Sequence, residues 1–226
     1  MERACTQAFS PAPDASGRRY GVYVHFPWCL KKCPYCDFVS FATDPATIDH
    51  DGYADAVVAE LSLRALPEGQ LTSVFFGGGT PSLWRPAALG RVLDAILQRA
   101  AEAGRAASPV EITVECNPSS LDEAHARALL EQGVNRLSIG VQSLDAERLA
   151  FLGRWHDAPG ALAAVRAAVR SGMPRVSADL IHGVAAGPGG RVQSPEEAAA
   201  EVAEIAALGV DHVSAYGLII EPNTRF

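Results

Sequence analysis

At 226 residues, 48% hydrophobic and 20% charged, the chain has the make-up of one large α/β domain or two small ones, which excludes wholesale disorder. Mean hydropathy is +0.07 and no apolar run approaches the ~18 residues of a membrane span, so a membrane-spanning helix is excluded. The formal charge of −7 speaks against a general nucleic-acid binder, and residues 1–21 lack the apolar core of a secretory signal, so a cytoplasmic protein is expected.

In chain order, residues 1–19 are rich in Pro, Ala, Ser and charge and read as a disordered tail. A β-branched and aromatic run, Tyr20–Phe26, gives the first strand. It leads into Cys29-Leu-Lys-Lys-Cys33-Pro-Tyr-Cys36, a C-x3-C-x2-C loop. Three thiolates this close can converge on one soft metal centre, either a zinc ion with His25 as fourth ligand or an iron–sulfur cluster. Lys31 and Lys32 are the chain's only lysines. They bring positive charge that favours thiolates and attracts an acidic electron donor. Cys5 in the tail and Cys116 at a strand end have no partner in sequence and are read as incidental.

A helix is expected near 52–66, then a strand at Ser73–Phe76 ending in Gly77-Gly78-Gly79-Thr80. Glycines there permit positive φ and close backbone approach to a ligand, but the run matches neither a P-loop nor a dinucleotide fingerprint. Leu89, Val92, Leu93, Ile96 and Leu97 keep the spacing of one buried helix face, and Gly104 falls where that helix needs a left-handed cap. Strand Val110–Glu115 follows, then a helix near 121–132 opened by a Ser120–Glu123 capping box. Strand Arg136–Val141 runs into Gln142, and Arg154 lies in a loop before a helix near 157–171 closed by Gly172. Strand Val176–Ile181 carries Asp179. Residues 184–193 form a long loose loop, and Ser194, Pro195 and Glu197 open another helix by a capping box. The last strand is expected over His212–Ile220.

Strands and helices alternate, as in right-handed βαβ units on a parallel sheet. With about six strands and five helices, fewer than the eight of a closed barrel, an open doubly wound sheet and a partial barrel both fit. Glu115, Gln142, Arg154 and Asp179 sit where strands end or loops begin, where parallel α/β folds gather ligands. A carboxylate, an amide, a guanidinium and a second carboxylate suit an amino acid joined to a ribose.

The segment Tyr23-Val-His-Phe-Pro-Trp-Cys29-Leu-Lys-Lys-Cys33-Pro-Tyr-Cys36-Asp-Phe38 closely resembles the cluster loop of radical SAM enzymes. Within them it is similar to the coproporphyrinogen dehydrogenase-related branch, and the later motifs recur in that branch's order from Tyr20 to Phe226. The resemblance implies a partial (β/α)6 TIM-like barrel over 20–226, with the last covering helix and the branch's C-terminal domain lacking. It implies that Cys29, Cys33 and Cys36 hold a [4Fe-4S] cluster whose open iron takes S-adenosylmethionine. Tyr23, Tyr35, Gly78, Gly79, Thr80, Glu115, Gln142, Arg154 and Asp179 would contact that cofactor, Tyr35 beside its adenine.

Phe38 stands where the dehydrogenases carry a further cysteine. With the ending Tyr216-Gly-Leu-Ile-Ile-Glu-Pro-Asn-Thr224, it resembles the branch's haem chaperones. The resemblance therefore implies binding of haem and its delivery to haem-accepting proteins, with reduction by a flavodoxin or ferredoxin. An oxygen-independent coproporphyrinogen III dehydrogenase and a zinc-binding structural module are the alternative readings. The long 184–193 loop is expected to alter the mouth of the site.

Overall fold

The computed structural model describes residues 17–226 apart from Pro188. The tail expected over 1–19 therefore lies, up to residue 16, outside the described residues, as does Cys5, while Arg19 already belongs to the first strand.

Among the described residues eight strands and six α-helices follow one another. β1 (Arg19–Phe26) leads into β2 (Trp28–Cys29) and β3 (Phe41–Ala42). Then come α1 (His50–Leu63), β4 (Gln70–Gly78), α2 (Pro86–Glu102), β5 (Ala106–Cys116), α3 (Glu123–Glu131) and β6 (Arg136–Gln142). The chain finishes with α4 (Ala146–Phe151), α5 (Ala158–Arg170), β7 (Arg175–His182), α6 (Pro195–Ala206) and β8 (His212–Gly217).

The six long strands form one parallel sheet in the order β1-β4-β5-β6-β7-β8. Because every crossover steps to the next position in one direction, right-handed connections place all the helices on one face. A doubly wound sheet would reverse direction midway, so the topology is that of an open partial barrel. Side chains alternate accordingly. Val24 and Phe26, Val74 and Phe76, Ile112 and Val114, Leu137 and Ile139, and Val176 and Ala178 face the helices and join the core with Leu89, Leu93 and Val165. The opposite, concave face keeps the polar residues.

Local signals explain the elements. In α2 the expected apolar stripe is buried at Leu89, Val92, Leu93 and Ile96, and Gly104 after it has φ 66°. Ser194 and Glu197 form a reciprocal capping box at α6. The box expected at Ser120 is not there. Asp122 caps α3 by accepting from the His125 N–H, while Ser120 ends a 3-10 turn started by Pro118. The carboxylate one residue before the helix outcompetes the more distant hydroxyl. The strand expected to reach Ile220 stops at Gly217. Residues beyond it turn back across the sheet end, where the Arg225 N–H donates to the Pro34 carbonyl at 2.8 Å and Phe226 stacks on Phe151 with centroids 4.7 Å apart.

The 184–193 segment is a small hairpin bridged at Ala185 and Val192. The Gln193 amide pins it, accepting from the Gly183 N–H and donating to Glu201. None of its described residues lines the cavity, and the segment meets the site through Val184, in the cluster on which the cavity residue Tyr35 packs.

Candidate functional site

The concave face opens at the carboxyl ends of the strands into a cavity of about 440 Å³. Its wall starts with the cysteine loop. A packed aromatic cluster of Phe26, Trp28, Tyr53 and Trp84 fixes the loop's entry. The Trp28–Cys29 and Phe41–Ala42 ladder closes its base, and the Cys36 N–H donates to the Cys33 carbonyl in a turn at 3.2 Å. Cys29, Cys33 and Cys36 all line the cavity. Burial first of all raises the Cys29 thiol, which the Thr80 and Ser40 hydroxyls partly offset.

Arg154 Nη1 donates to Cys33 Sγ at 3.5 Å. Lys32 donates to the Phe38 carbonyl at 3.0 Å, and Lys31 Nζ lies 5.9 Å from the Trp155 ring centre. Both lysines remain exposed at the rim.

His25 is engaged elsewhere. Its Nδ1 meets the Tyr23 hydroxyl at 2.9 Å and its Nε2 donates to the Val39 carbonyl at 2.8 Å, so both nitrogens are occupied in tying the loop to β1. Among the described residues no three His, Cys, Asp or Glu side chains are gathered tightly enough for a single metal ion. A lone zinc needs four donors within about 2.3 Å of one point. The three cysteines do share one cavity wall, the donor set from which an iron–sulfur cluster could be held. The three-thiol set, with Arg154 donating to Cys33 and two lysines at the rim, fits an anionic cluster.

Gly78 and Gly79 form the opposite wall. Gly78 has φ 111°, and a Cβ there would lie 2.6 Å from the His25 ring; one on Gly79 would lie 2.6 Å from the Trp28 carbonyl. The backbone must run this close because the Gly79 and Thr80 N–H groups donate to the Phe26 and Trp28 carbonyls at 2.7 and 2.8 Å. The glycine loop and the cysteine loop are thereby joined.

Two carboxylates rise from the floor. Glu115 on β5 accepts from the Gly78 N–H at 3.1 Å. Burial pushes its pKa up to about 7; the Gly78 bond pulls it down and the Asp179 charge adds to the rise. Asp179 on β7 accepts from Ser138 Oγ at 2.9 Å, and its pKa is also raised by burial, against the Ser214 and Ser138 hydrogen bonds. A group carrying hydroxyl donors meets two acceptors here that are already desolvated.

The remaining wall comes from the β6 exit. Gln142 lies beside Arg154, whose Nη2 donates to the Gly140 carbonyl at 3.0 Å. Arg154 Nε is buried with no partner. Tyr35 packs against Leu152, Ile181 and Val184, and burial raises its phenol pKa despite the nearby Arg154.

Eleven of the twelve residues singled out in the sequence line this one cavity. Tyr23 does not. Its ring stacks on Phe75 on the concave face, with centroids 6.2 Å apart, and it borders the site through its hydrogen bond to His25 and its electrostatic influence on Glu115. Sequence reasoning missed Ser138, Ser40 and Asn117, which also line the cavity. Ser138 was legible in principle, since strand alternation puts it on the same face as Gly140.

The radical SAM superfamily model matches residues 23–185. The chain is 39% identical over 207 residues to "Heme chaperone HemW" of Escherichia coli (strain K12), covering 91% of this chain and 52% of that protein. It is 38% identical over 217 residues to radical S-adenosyl methionine domain-containing protein 1, mitochondrial, of Bos taurus, covering 95% and 46%. Among solved structures, coproporphyrinogen III oxidase (HemN) from Escherichia coli, described as a radical SAM enzyme, superposes with TM-score 0.72 at 27% identity. That match covers 89% of this chain and 44% of the other. The chain spans about half the length of the curated relatives it matches. With its open parallel sheet and its thiol-lined cavity, the chain belongs to the radical SAM superfamily.

Proposed function

We propose that residues 20–226 are the core domain of a haem chaperone that binds a [4Fe-4S] cluster and S-adenosylmethionine. The observation that carries the cofactor reading is convergence: residues from all along the chain, far apart in sequence, line one cavity. In this reading Cys29, Cys33 and Cys36 hold the cluster, and the Gly78–Thr80 backbone with Arg154 receives the amino acid end of the cofactor. Glu115 and Asp179 accept its ribose hydroxyls, Gln142 holds the chain between them, and Tyr35 flanks the adenine. When bound, such a cluster supplies an electron for reductive cleavage of S-adenosylmethionine. The protein's own residues orient the ligand and keep water out.

The haem assignment rests on the chaperone relatives and on Phe38. That side chain is 58% exposed at the cavity wall where a further cysteine would mark a dehydrogenase. Haem would be passed to acceptor proteins. The likeness to HemN favours a second reading, oxygen-independent decarboxylation of coproporphyrinogen III. Hemin titration of the anaerobically reconstituted protein decides. The chaperone reading expects a stoichiometric Soret shift and no release of carbon dioxide from coproporphyrinogen; decarboxylation with no hemin binding overturns it.

The exposed Lys31 and Lys32 are proposed to dock an acidic donor such as a flavodoxin or ferredoxin. Replacing both with Gln is expected to slow cluster reduction several-fold at low salt and not at high salt. Equal rates at low salt would remove the docking role.

A further inference from the structure

We propose that His156 is a positioning residue that holds the backbone of Gln142 in a strained turn and so aims the Gln142 amide into the cavity. The proposal deepens the cofactor reading above and rests on it for the ligand. The turn itself stands on geometry alone.

Gln142 is one of two non-glycine residues with positive φ among the described residues, at 69°. The Ser143 N–H donates to the Val141 carbonyl at 2.9 Å across it. A bond from i+2 to i around a residue of positive φ is the rarer and strained form of the γ-turn. A side chain with a Cβ seldom adopts that conformation, and it persists only where the surroundings over-determine it. At the same point the register between β6 and β7 shifts, leaving Val141 unpaired between the Gly140–Asp179 and Gln142–Leu180 pairs, so the ladder skips the carbonyl on which the turn closes.

Side chains take over that task. Arg154 grips the Gly140 carbonyl at 3.0 Å. His156 grips the next one: its Nε2 lies 2.9 Å from the Val141 oxygen, which therefore accepts two bonds. A carbonyl only accepts, so Nε2 carries the proton and Nδ1 is bare. Nδ1 is buried with no partner, which only a neutral ring tolerates. Burial and the Arg154 charge keep it neutral, holding the pKa at about 4. His156 itself does not line the cavity. It acts through the peptide, one residue before the amide that does.

Two substitutions separate the hydrogen bond from mere bulk. His156→Gln places an amide N–H near the position of Nε2, whereas His156→Leu fills the space and donates nothing. In the apo protein, hydrogen exchange over residues 137–151 is expected to accelerate at least tenfold in His156→Leu and to stay near wild type in His156→Gln. In the reconstituted protein, S-adenosylmethionine is expected to bind about tenfold more weakly to His156→Leu, with iron content unchanged, and within threefold of wild type to His156→Gln.

Wild-type exchange and affinity in a folded His156→Leu protein overturn the proposal. If His156→Leu does not fold, His156→Gln decides: folded, loaded with iron and binding as tightly as wild type it supports the hydrogen bond, and binding tenfold weaker it overturns it. Should the wild-type protein bind no S-adenosylmethionine at all, the cofactor reading fails, and the exchange measurement alone still decides the turn.

Discussion

Replacing Cys29, Cys33 or Cys36 singly with alanine is expected to reduce bound iron and acid-labile sulfide in the anaerobically reconstituted protein to near zero. Replacing Cys116 with alanine is expected to leave both at the wild-type level. The four thiols differ in kind. The first three stand on a loop closed at its base by the β2–β3 ladder, with Arg154 donating to Cys33. Cys116 sits at the end of β5, where it donates to the Val114 carbonyl at 3.6 Å, and burial drives its thiol far from ionisation. A metal takes the thiolate, so a thiol held protonated is a poor ligand.

If the three cysteines hold the cluster as proposed, no spare donor would compensate for a loss; His25 cannot step in because Tyr23 and Val39 occupy both its nitrogens. Folding should survive the substitutions, since the loop residues lie outside the main core. Retention of full iron by any two of the three single variants would mean that the cluster is bound elsewhere. One zinc per chain with no sulfide in the wild-type protein would restore the zinc module.

The parts of the molecule that sequence revealed are those where one residue type carries the message. The α2 stripe, the Ser194 box, Gly104 and the cysteine spacing each follow from a local rule that tertiary context had no reason to override. The choice between a doubly wound sheet and a partial barrel was not local. It depended on the direction of each crossover, which no single segment encodes, and the sequential strand order settles it. The six-residue α4 escaped because it is too short to show a helical period.

Within the site, polar residues at strand ends were legible because parallel sheets gather ligands there. Their supports were not: Ser138 reads as an ordinary strand serine until Asp179 on the neighbouring strand is beside it. Tyr23 shows the converse. It belongs to a conspicuous motif, yet alternation along β1 sets it on Phe75, outside the cavity lining.

The carboxylate floor yields a prediction with the opposite character, one that needs no cofactor. Glu115 has its pKa raised from 4.5 to about 7, so the folded state binds its proton more tightly than the unfolded state does. Its contribution to stability is complete below the unfolded value of 4.5 and is lost as pH rises through about 7. Between about pH 5.5 and 8.5 that loss amounts to about 2 kcal/mol, and Asp179, raised for the same first reason of burial, adds to it in the same direction.

His156 works against this at the acid end. Its pKa is lowered to about 4, so stability falls as pH drops below the ordinary histidine value. Glu115→Gln keeps an acceptor for the Gly78 N–H and removes the ionisation. In urea titrations of the apo protein, wild type is expected to lose about 2 kcal/mol more than Glu115→Gln over that interval. Identical pH profiles would show that Glu115 ionises freely, and that the floor is wetter than its burial indicates. In the proposed cofactor reading the desolvated pair would also make the site selective. An acceptor this reluctant to ionise is stabilised most by a ligand that brings its own donors or positive charge, and a sulfonium joined to a ribose brings both.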